Sequence, residues 1–263
     1  MPKPVIVIVP GAWHRPKHYQ KLINALADVG YEAVGVTLPS VDSSPPLPSW
    51  DQDAAETRRV IMEYLDAGKD VIPIGHSFGG VAMSEAVKGL GKEDREKTGL
   101  KGSVIRLVYM CAMAMPKGQT FMGQMVPATP EEEEIERQRK SFEAQQGKMK
   151  TTEDGAMLLD PDTVRGVFYN RCDPDEVQEA LDLLGSFPPG PLAVPVTYSP
   201  FLEFPCTYIK CKNDRALPVS VQGRMIAQAE GAIDVEECEE GHSPFMSNTS
   251  FVVDCLRRAA GEI

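Results

Sequence analysis

Short runs of β-branched and other apolar residues alternate along this chain with longer stretches whose apolar positions recur every three or four residues. The runs at residues 5–9, 33–37, 71–74, 105–110, 206–211 and 233–237 predict strands. The stretches at 17–29, 53–67, 81–90, 218–229 and 249–260 predict helices. In the first of these, Tyr19, Leu22, Ile23, Leu26 and Ala27 share one face, and Gly30 supplies a stop. Strands that alternate with amphipathic helices in this way predict an α/β fold built on a parallel sheet with crossover helices.

The rhythm breaks between about Met115 and Phe204. There the β-like runs vanish, and charged helical segments are expected at 130–145, 161–169 and 174–184. A proline-rich tail, Phe187-Pro188-Pro189-Gly190-Pro191, follows, and strand chemistry resumes at Cys206. Residues 1–114 and 205–263 are thus expected to form one core, with 115–204 inserted as a helical lid. Placed after a strand's carboxyl end, such an insertion should cover the sheet edge where ligands bind. Phe168, Tyr169, Leu181, Leu183 and Leu184 give it apolar faces to bury, which a loose acidic linker would lack. The chain shows no internal repeat, and Pro45-Pro46-Leu47-Pro48 is a connector too brief to be a binding motif.

With 263 residues, 42% of them hydrophobic, the chain can bury a substantial core. Its formal charge of −11 argues against nucleic acid or an anionic membrane as partner, since both require basic patches. A small-molecule substrate is the expected partner, and a homodimer is compatible with the sequence. The six cysteines form no Cys-x-x-Cys pair and have no histidine at metal spacing, so no metal site is expected. Several lie in apolar runs, where a reduced cysteine behaves as a small hydrophobe. The apolar run after Met1-Pro2-Lys3-Pro4 is too short for a signal-peptide core, and no segment approaches membrane-spanning length. A cytoplasmic protein is the expectation.

The chemistry starts at Gly75-His76-Ser77-Phe78-Gly79, between a predicted strand and a predicted helix. Gly-x-Ser-x-Gly in that setting is a nucleophile elbow: the serine occupies a sharp, strained turn, and the glycines let strand and helix backbones approach closely. A serine nucleophile needs a base, and the base needs a group that orients it and stabilises its charge. Four histidines are available. His76 neighbours Ser77 on a sharp turn and should point away from it, into the packing. His18 starts an amphipathic helix and is expected to face solvent. His242 follows the strand at 233–237 across an acidic turn, on a loop at a strand's carboxyl end, and is the expected base. For the acid, Asp214 falls in the turn after the strand at 206–211, ahead of a helix that begins near Pro218. The order Ser77, Asp214, His242 is that of the elbow-bearing fold. Two backbone N–H donors should receive a developing oxyanion. Phe78 is expected to supply one and Ala12 the other, with Trp13 as the alternative to Ala12.

With these residues in hand, the chain resembles the α/β-hydrolase superfamily over nearly its whole length. The likeness is greatest to the small branch of plant methyl-ester esterases and hydroxynitrile lyases with their fungal and bacterial relatives. The stretches that carry it are Gly75-His76-Ser77-Phe78-Gly79-Gly80, Pro10-Gly11-Ala12-Trp13-His14, Phe168-Tyr169-Asn170-Arg171-Cys172, Asp214-Arg215-Ala216-Leu217-Pro218 and Gly241-His242-Ser243-Pro244-Phe245-Met246-Ser247. The resemblance implies a predominantly parallel six-stranded sheet with helices on both faces, a helical lid, and triad roles for Ser77, Asp214 and His242. Two departures stand out. Pro10 occupies a position where many relatives have histidine. Ser243 stands where the lyases carry lysine and the esterases commonly carry methionine, which disfavours cyanohydrin cleavage and a plant-like methyl ester.

The resulting expectation is a serine hydrolase that needs no cofactor and cleaves a carboxylic ester, lactone or thioester of a small apolar metabolite. Trp13, Phe121, Met122, Met125, Phe245 and Met246 are the expected pocket residues, joined by Phe78, whose N–H is also an expected oxyanion donor. His14 and Ser243 are the expected polar groups near the leaving atom. Two other activities use the same residues: a lyase or cyclase in which the triad does acid–base work without an acyl intermediate, and a receptor that binds without turnover.

Overall fold

The structure, a computed structural model, describes residues 2–130, 132–134, 137 and 150–263. All six expected strands form: β1 (Val5–Val9), β2 (Ala33–Gly35), β3 (Val71–His76), β4 (Leu107–Met110), and, beyond a small hairpin of β5 (Lys150–Thr151) and β6 (Met157–Leu158), β7 (Cys206–Cys211) and β8 (Ile233–Cys238). Six of them make one sheet in the order β2-β1-β3-β4-β7-β8, and every neighbouring pair is parallel. The chain runs outward from β1 to β2, then returns to place β3 on the other side of β1. Loops leaving β1 and β3 therefore part at their carboxyl ends, and a crevice opens there.

The strands are buried on both faces, which is why they read as continuous apolar runs. In β1, Val5, Val7 and Val9 join one core and Ile6 and Ile8 the other, as the two-residue period of a strand requires. Helices Asp51–Asp66, Gly79–Ala86 and Val219–Gln228 pack on the first face. Helices Gln20–Asp28 and Thr249–Ala259 pack on the second. Pro16 opens a short 3-10 turn, Pro16–Tyr19, ahead of the first of these, so the expected helix from residue 17 is two elements. A helix at Lys92–Lys97 was not expected, because a run of charged residues carries no apolar stripe.

Between β4 and β7 the helices Pro161–Val167 and Pro174–Asp182 start where proline predicts them. Asp160 and Asp173 cap them, accepting from the N–H groups of Thr163 (3.1 Å) and Asp175 (3.0 Å). The helix expected at 130–145 lies largely outside the described residues. Contrary to the sequence reading, this region also contains strands. Thr151 of β5 pairs with Met157 of β6, and Met157 also exchanges backbone hydrogen bonds with Phe187 (2.8 and 3.0 Å). Strands of two residues are too short to show alternation. Among the described residues, no helix is long and apolar enough to cross a membrane.

The tightest backbone contact falls at the start of helix Gly79–Ala86. A Cβ on Gly79 would stand 2.5 Å from the carbonyl oxygen of Pro10 and closer still to that of Val9. Gly223, inside helix Val219–Gln228, has open space around it. Gly79→Ala is therefore expected to lower the unfolding free energy in urea by more than about 3 kcal/mol, whereas Gly223→Ala should raise it by about 0.5–1 kcal/mol. Equal effects from the two substitutions would contradict the packing described.

Candidate active site

β3 ends at His76, and Ser77 turns the chain with φ +52°, in the left-handed region that a side chain normally avoids. Holding a non-glycine residue there costs on the order of 1–2 kcal/mol. The turn is locked because the Ser77 carbonyl accepts from the N–H groups of Gly80 and Met113, each at 3.1 Å. Gly75 allows the closure: a Cβ there would sit 2.9 Å from the Gly79 carbonyl oxygen.

Asp214 follows β7 and is almost fully buried. Its Oδ1 accepts from the backbone N–H groups of Ala216 and Leu217, both at 2.8 Å, and its Oδ2 meets His242 Nδ1 at 2.8 Å. Gln222, wholly buried, also reaches Oδ2 (3.4 Å) while bonding both backbone groups of Cys211 (3.1 Å each). Nothing in the sequence flagged Gln222, since a helical glutamine carries no periodic or motif signal. His242 follows β8 and lines the same cavity as Ser77. Among the described residues the Ser77 hydroxyl takes no hydrogen-bond partner; such bonds commonly tighten only once substrate is bound.

All four histidines of the chain belong to one buried cluster. Ring centroids lie 4.7 Å apart for His14 and His18, 5.5 Å for His14 and His76, and 4.7 Å for His76 and His242. His76 Nε2 donates to the His242 carbonyl (2.8 Å), so its Nδ1 is the acceptor of the Tyr19 hydroxyl proton (2.7 Å). The Tyr19 oxygen in turn accepts from the Gly11 N–H (3.1 Å). His18 corrects the sequence expectation. It is 5% exposed, its Nδ1 accepts from the Arg15 N–H (2.9 Å), and its Nε2 donates to the Ala180 carbonyl (3.0 Å). The covering element, helix Pro174–Asp182, is remote in sequence. Burial lowers the pKa of His14 and His76 well below 6.5 and that of His18 below it, and neighbouring histidines add to the shift on the first two.

The cavity in front of Ser77 holds about 280 Å³ and is walled mainly by apolar side chains. Of the residues expected there, Trp13, Phe121, Met122 and Met125 line it. His14, Phe78, Ser243, Phe245 and Met246 do not. Phe78 is buried edge-to-face on Phe187 (5.0 Å), and Phe245 stacks on Tyr19 (4.3 Å) in the core behind the histidines. Met246 borders a separate outer groove beside Lys17 and Lys21, and Ser243 is buried with no partner for its Oγ among the described residues. The region between β4 and β7 supplies walls that the sequence left unassigned, including Met157, Leu159, Val164, Val167 and Phe168. Arg215, one residue past Asp214, brings a guanidinium to this wall. Two roomier depressions, of about 410 and 550 Å³, lie elsewhere on the surface, more open and lined by charged side chains.

The backbone N–H groups of Ala12, Trp13 and Phe78 meet no acceptor among the described residues. His76, Cys111 and His242 stand at metal-ligand spacing, their ligand atoms within 4.8 Å. Yet the His76 N–H and the Cys111 thiol (3.3 Å) both donate to the His242 carbonyl, and His242 Nδ1 faces Asp214. A metal would have to break a hydrogen bond of His76, both of whose ring nitrogens are engaged, and that of the Cys111 thiol.

A family model described as "Alpha/beta hydrolase family" matches residues 6–254. The chain is 44% identical over 262 residues to a protein named alpha/beta hydrolase nvfD from Aspergillus novofumigatus, covering 100% of this chain and 98% of that one. Among solved structures it resembles a pyrethroid hydrolase from Sphingobium faniae JZ-2, with TM-score 0.73, 19% identity, and 98% and 97% of the two chains covered. It also resembles the methylesterase MES16 from Arabidopsis, with TM-score 0.71, 20% identity, and 99% and 100% covered. At those identities the two structural likenesses are ones of fold.

The histidine cluster yields a pH prediction. His14, His18 and His76 hold their protons less tightly folded than unfolded, so this contribution to stability is complete above about pH 6.5. As pH falls through 6.5 only the unfolded chain takes up these protons, and stability drops. Stability should therefore fall between pH 7.5 and 5.5, with His14 and His76, the two most strongly shifted, contributing most of the loss. Urea titrations across that range should show the loss, and His18→Gln should lessen it. A flat profile would rule out three buried neutral rings.

Proposed function

The chain belongs to the α/β-hydrolase family, and from that premise we propose that it is a serine hydrolase cleaving a carboxylic ester, lactone or thioester with an apolar body. The observation that carries this reading is Ser77 on its left-handed turn, facing the same apolar cavity as His242, whose Nδ1 is held at 2.8 Å by a buried carboxylate.

In this mechanism His242 Nε2 takes the Ser77 proton as Oγ attacks the acyl carbon. The carbonyl π pair moves to oxygen, where the N–H groups of Phe78 and Ala12 receive it. Collapse expels the alcohol or thiol, which leaves with the proton from His242. Water then enters, His242 takes its proton, and the same steps in reverse release the acid and restore Ser77. Asp214, fixed by two backbone N–H groups and Gln222, keeps the His242 proton on Nδ1 and stabilises the imidazolium. The region 115–204 acts as a lid, adding apolar walls that exclude water and bind the substrate's body. These groups supply every proton transfer and charge contact that acyl transfer needs.

A fluorophosphonate probe should label the native protein at one site, mapped to Ser77 by peptide mass, and Ser77→Ala should abolish both label and turnover on an ester, lactone and thioester panel. Label that persists in Ser77→Ala would overturn the reading. Conversion of a substrate without any covalent adduct would point instead to lyase or cyclase chemistry.

Asp214→Asn keeps the shape but removes the charge, leaving His242 in the wrong tautomer. kcat should fall by about 10⁴-fold, as in related triads, with circular dichroism unchanged. Near-normal turnover in a folded variant would make Asp214 only a turn residue.

A further inference from the structure

The loop after β1 carries three consecutive peptide carbonyls, of Gly11, Ala12 and Trp13, and each is pinned by a different donor. The Gly11 carbonyl accepts from the backbone N–H of His14 (3.1 Å). The Ala12 carbonyl lies 2.8 Å from His14 Nδ1. The Trp13 carbonyl accepts from the N–H of Gly185 (3.0 Å). A trans peptide is planar, with its C=O and N–H pointing in opposite directions. Pinning the Gly11 carbonyl therefore aims the Ala12 N–H, and pinning the Ala12 carbonyl aims the Trp13 N–H. One residue, His14, holds both.

The proton inventory fixes how His14 does this. A carbonyl only accepts, so Nδ1 must carry the proton. In a neutral ring Nε2 is then a bare lone pair, and the Tyr169 hydroxyl donates to it at 3.0 Å. His14 is 1% exposed and Tyr169 2% exposed, so no water competes for either bond. Burial keeps His14 neutral and pushes the Tyr169 hydroxyl far above its usual pKa, which keeps it a donor. Trp13 adds a fourth tie, its indole N–H donating to the Met157 carbonyl (3.1 Å). Trp13 itself has φ +65°, a conformation a tryptophan does not adopt unless held.

We infer that His14 and Tyr169 are positioning residues for the oxyanion-binding loop: the His14 backbone N–H holds the peptide that carries the Ala12 N–H, and Tyr169, from the region between β4 and β7, holds the His14 ring in the tautomer whose Nδ1–H pins the Ala12 carbonyl and so orients the peptide that carries the Trp13 N–H. The inference rests on the proposed acyl chemistry at Ser77, since the loop matters only if an oxyanion forms in front of it. It makes the region that walls the cavity also a part of the transition-state machinery, and it gives His14 a role other than substrate contact.

The test uses the fluorophosphonate probe, whose phosphoryl oxygen occupies the oxyanion position, and reads the saturating labelling rate kinact separately from the half-saturating concentration KI. Tyr169→Phe removes one hydroxyl and keeps the ring. It should lower kinact by about 10- to 100-fold, up to the loss seen when an oxyanion donor is removed, with KI within about twofold and the labelling endpoint unchanged. His14→Asn places an amide N–H near the Nδ1 position, whereas His14→Gln places it near Nε2, so His14→Asn should label faster than His14→Gln. A purely structural role would lower the endpoint or melting temperature of all variants without separating kinact from KI or Asn from Gln. Tyr169→Phe and His14→Gln with wild-type kinact would overturn the inference, as would a loss confined to KI. Failure of the wild-type protein to label at Ser77 would overturn the acyl reading beneath it as well.

Discussion

Everything at this site hangs on the contact of helix Gly79–Ala86 with the carboxyl end of β1. Gly79 lies against the carbonyl oxygens of Val9 and Pro10, and Gly75 lies against Gly79. That approach forces the turn at Ser77 into the left-handed region and brings the Pro10–His14 loop alongside it. A Cβ on Gly11 would stand 3.1 Å from the Cβ of Ser77. Ser77 and the Pro10–His14 loop are thus neighbours because two backbones touch. The sheet order makes room for both, since β1 and β3 flank the point where the chain reverses direction across the sheet.

Behind this contact the protein places its full complement of histidines in one buried cluster, with three of them held neutral by burial. Each neutral ring donates from one nitrogen and accepts at the other, so each can join two backbone elements with a definite direction. His76 joins the elbow to the His242 carbonyl, and Tyr19 extends that link to Gly11. His18 joins the chain near Pro16 to helix Pro174–Asp182. The cost is sensitivity to acid, because each ring gains a proton on unfolding. The gain is a rigid frame around His242, whose backbone carbonyl also receives the Cys111 thiol.

Two parts of the chain build the cavity. Ser77, Asp214 and His242 follow the carboxyl ends of β3, β7 and β8. The walls of the cavity come in good part from residues 157–168 and from Phe121, Met122 and Met125. Walls of this kind can vary without disturbing the sheet, which is why a shared fold leaves substrate choice open. Arg215 adds a cation to a mainly apolar lining and is tied at 3.3 Å to the Gly166 carbonyl across the boundary between the two regions.

Much of this was legible in the chain itself. Strands, crossover helices, the elbow and the placing of Asp214 and His242 after β7 and β8 all follow from residues close together in sequence: apolar runs, helical spacing, glycines on either side of a serine, a proline after a turn. Local patterns of that kind are enough because secondary structure and turn chemistry are themselves local. The hairpin of β5 and β6 escaped for the same reason, since strands of two residues contain no period. What the sequence could not determine was which distant residues would meet. His18 looked solvent-facing because Ala180, 162 residues away, is what covers it. His14 looked like a substrate contact because Tyr169, 155 residues away, is what turns its ring toward the loop. Phe245 and Met246 lie close after His242 in sequence yet point into the core and an outer groove, because the short helix Pro244–Ser247 rotates them away from the cavity. Residue types and local order set the fold and the placing of Ser77, Asp214 and His242; only the packing of remote segments decided which face each side chain shows and which nitrogen of His14, His18 and His76 carries the proton.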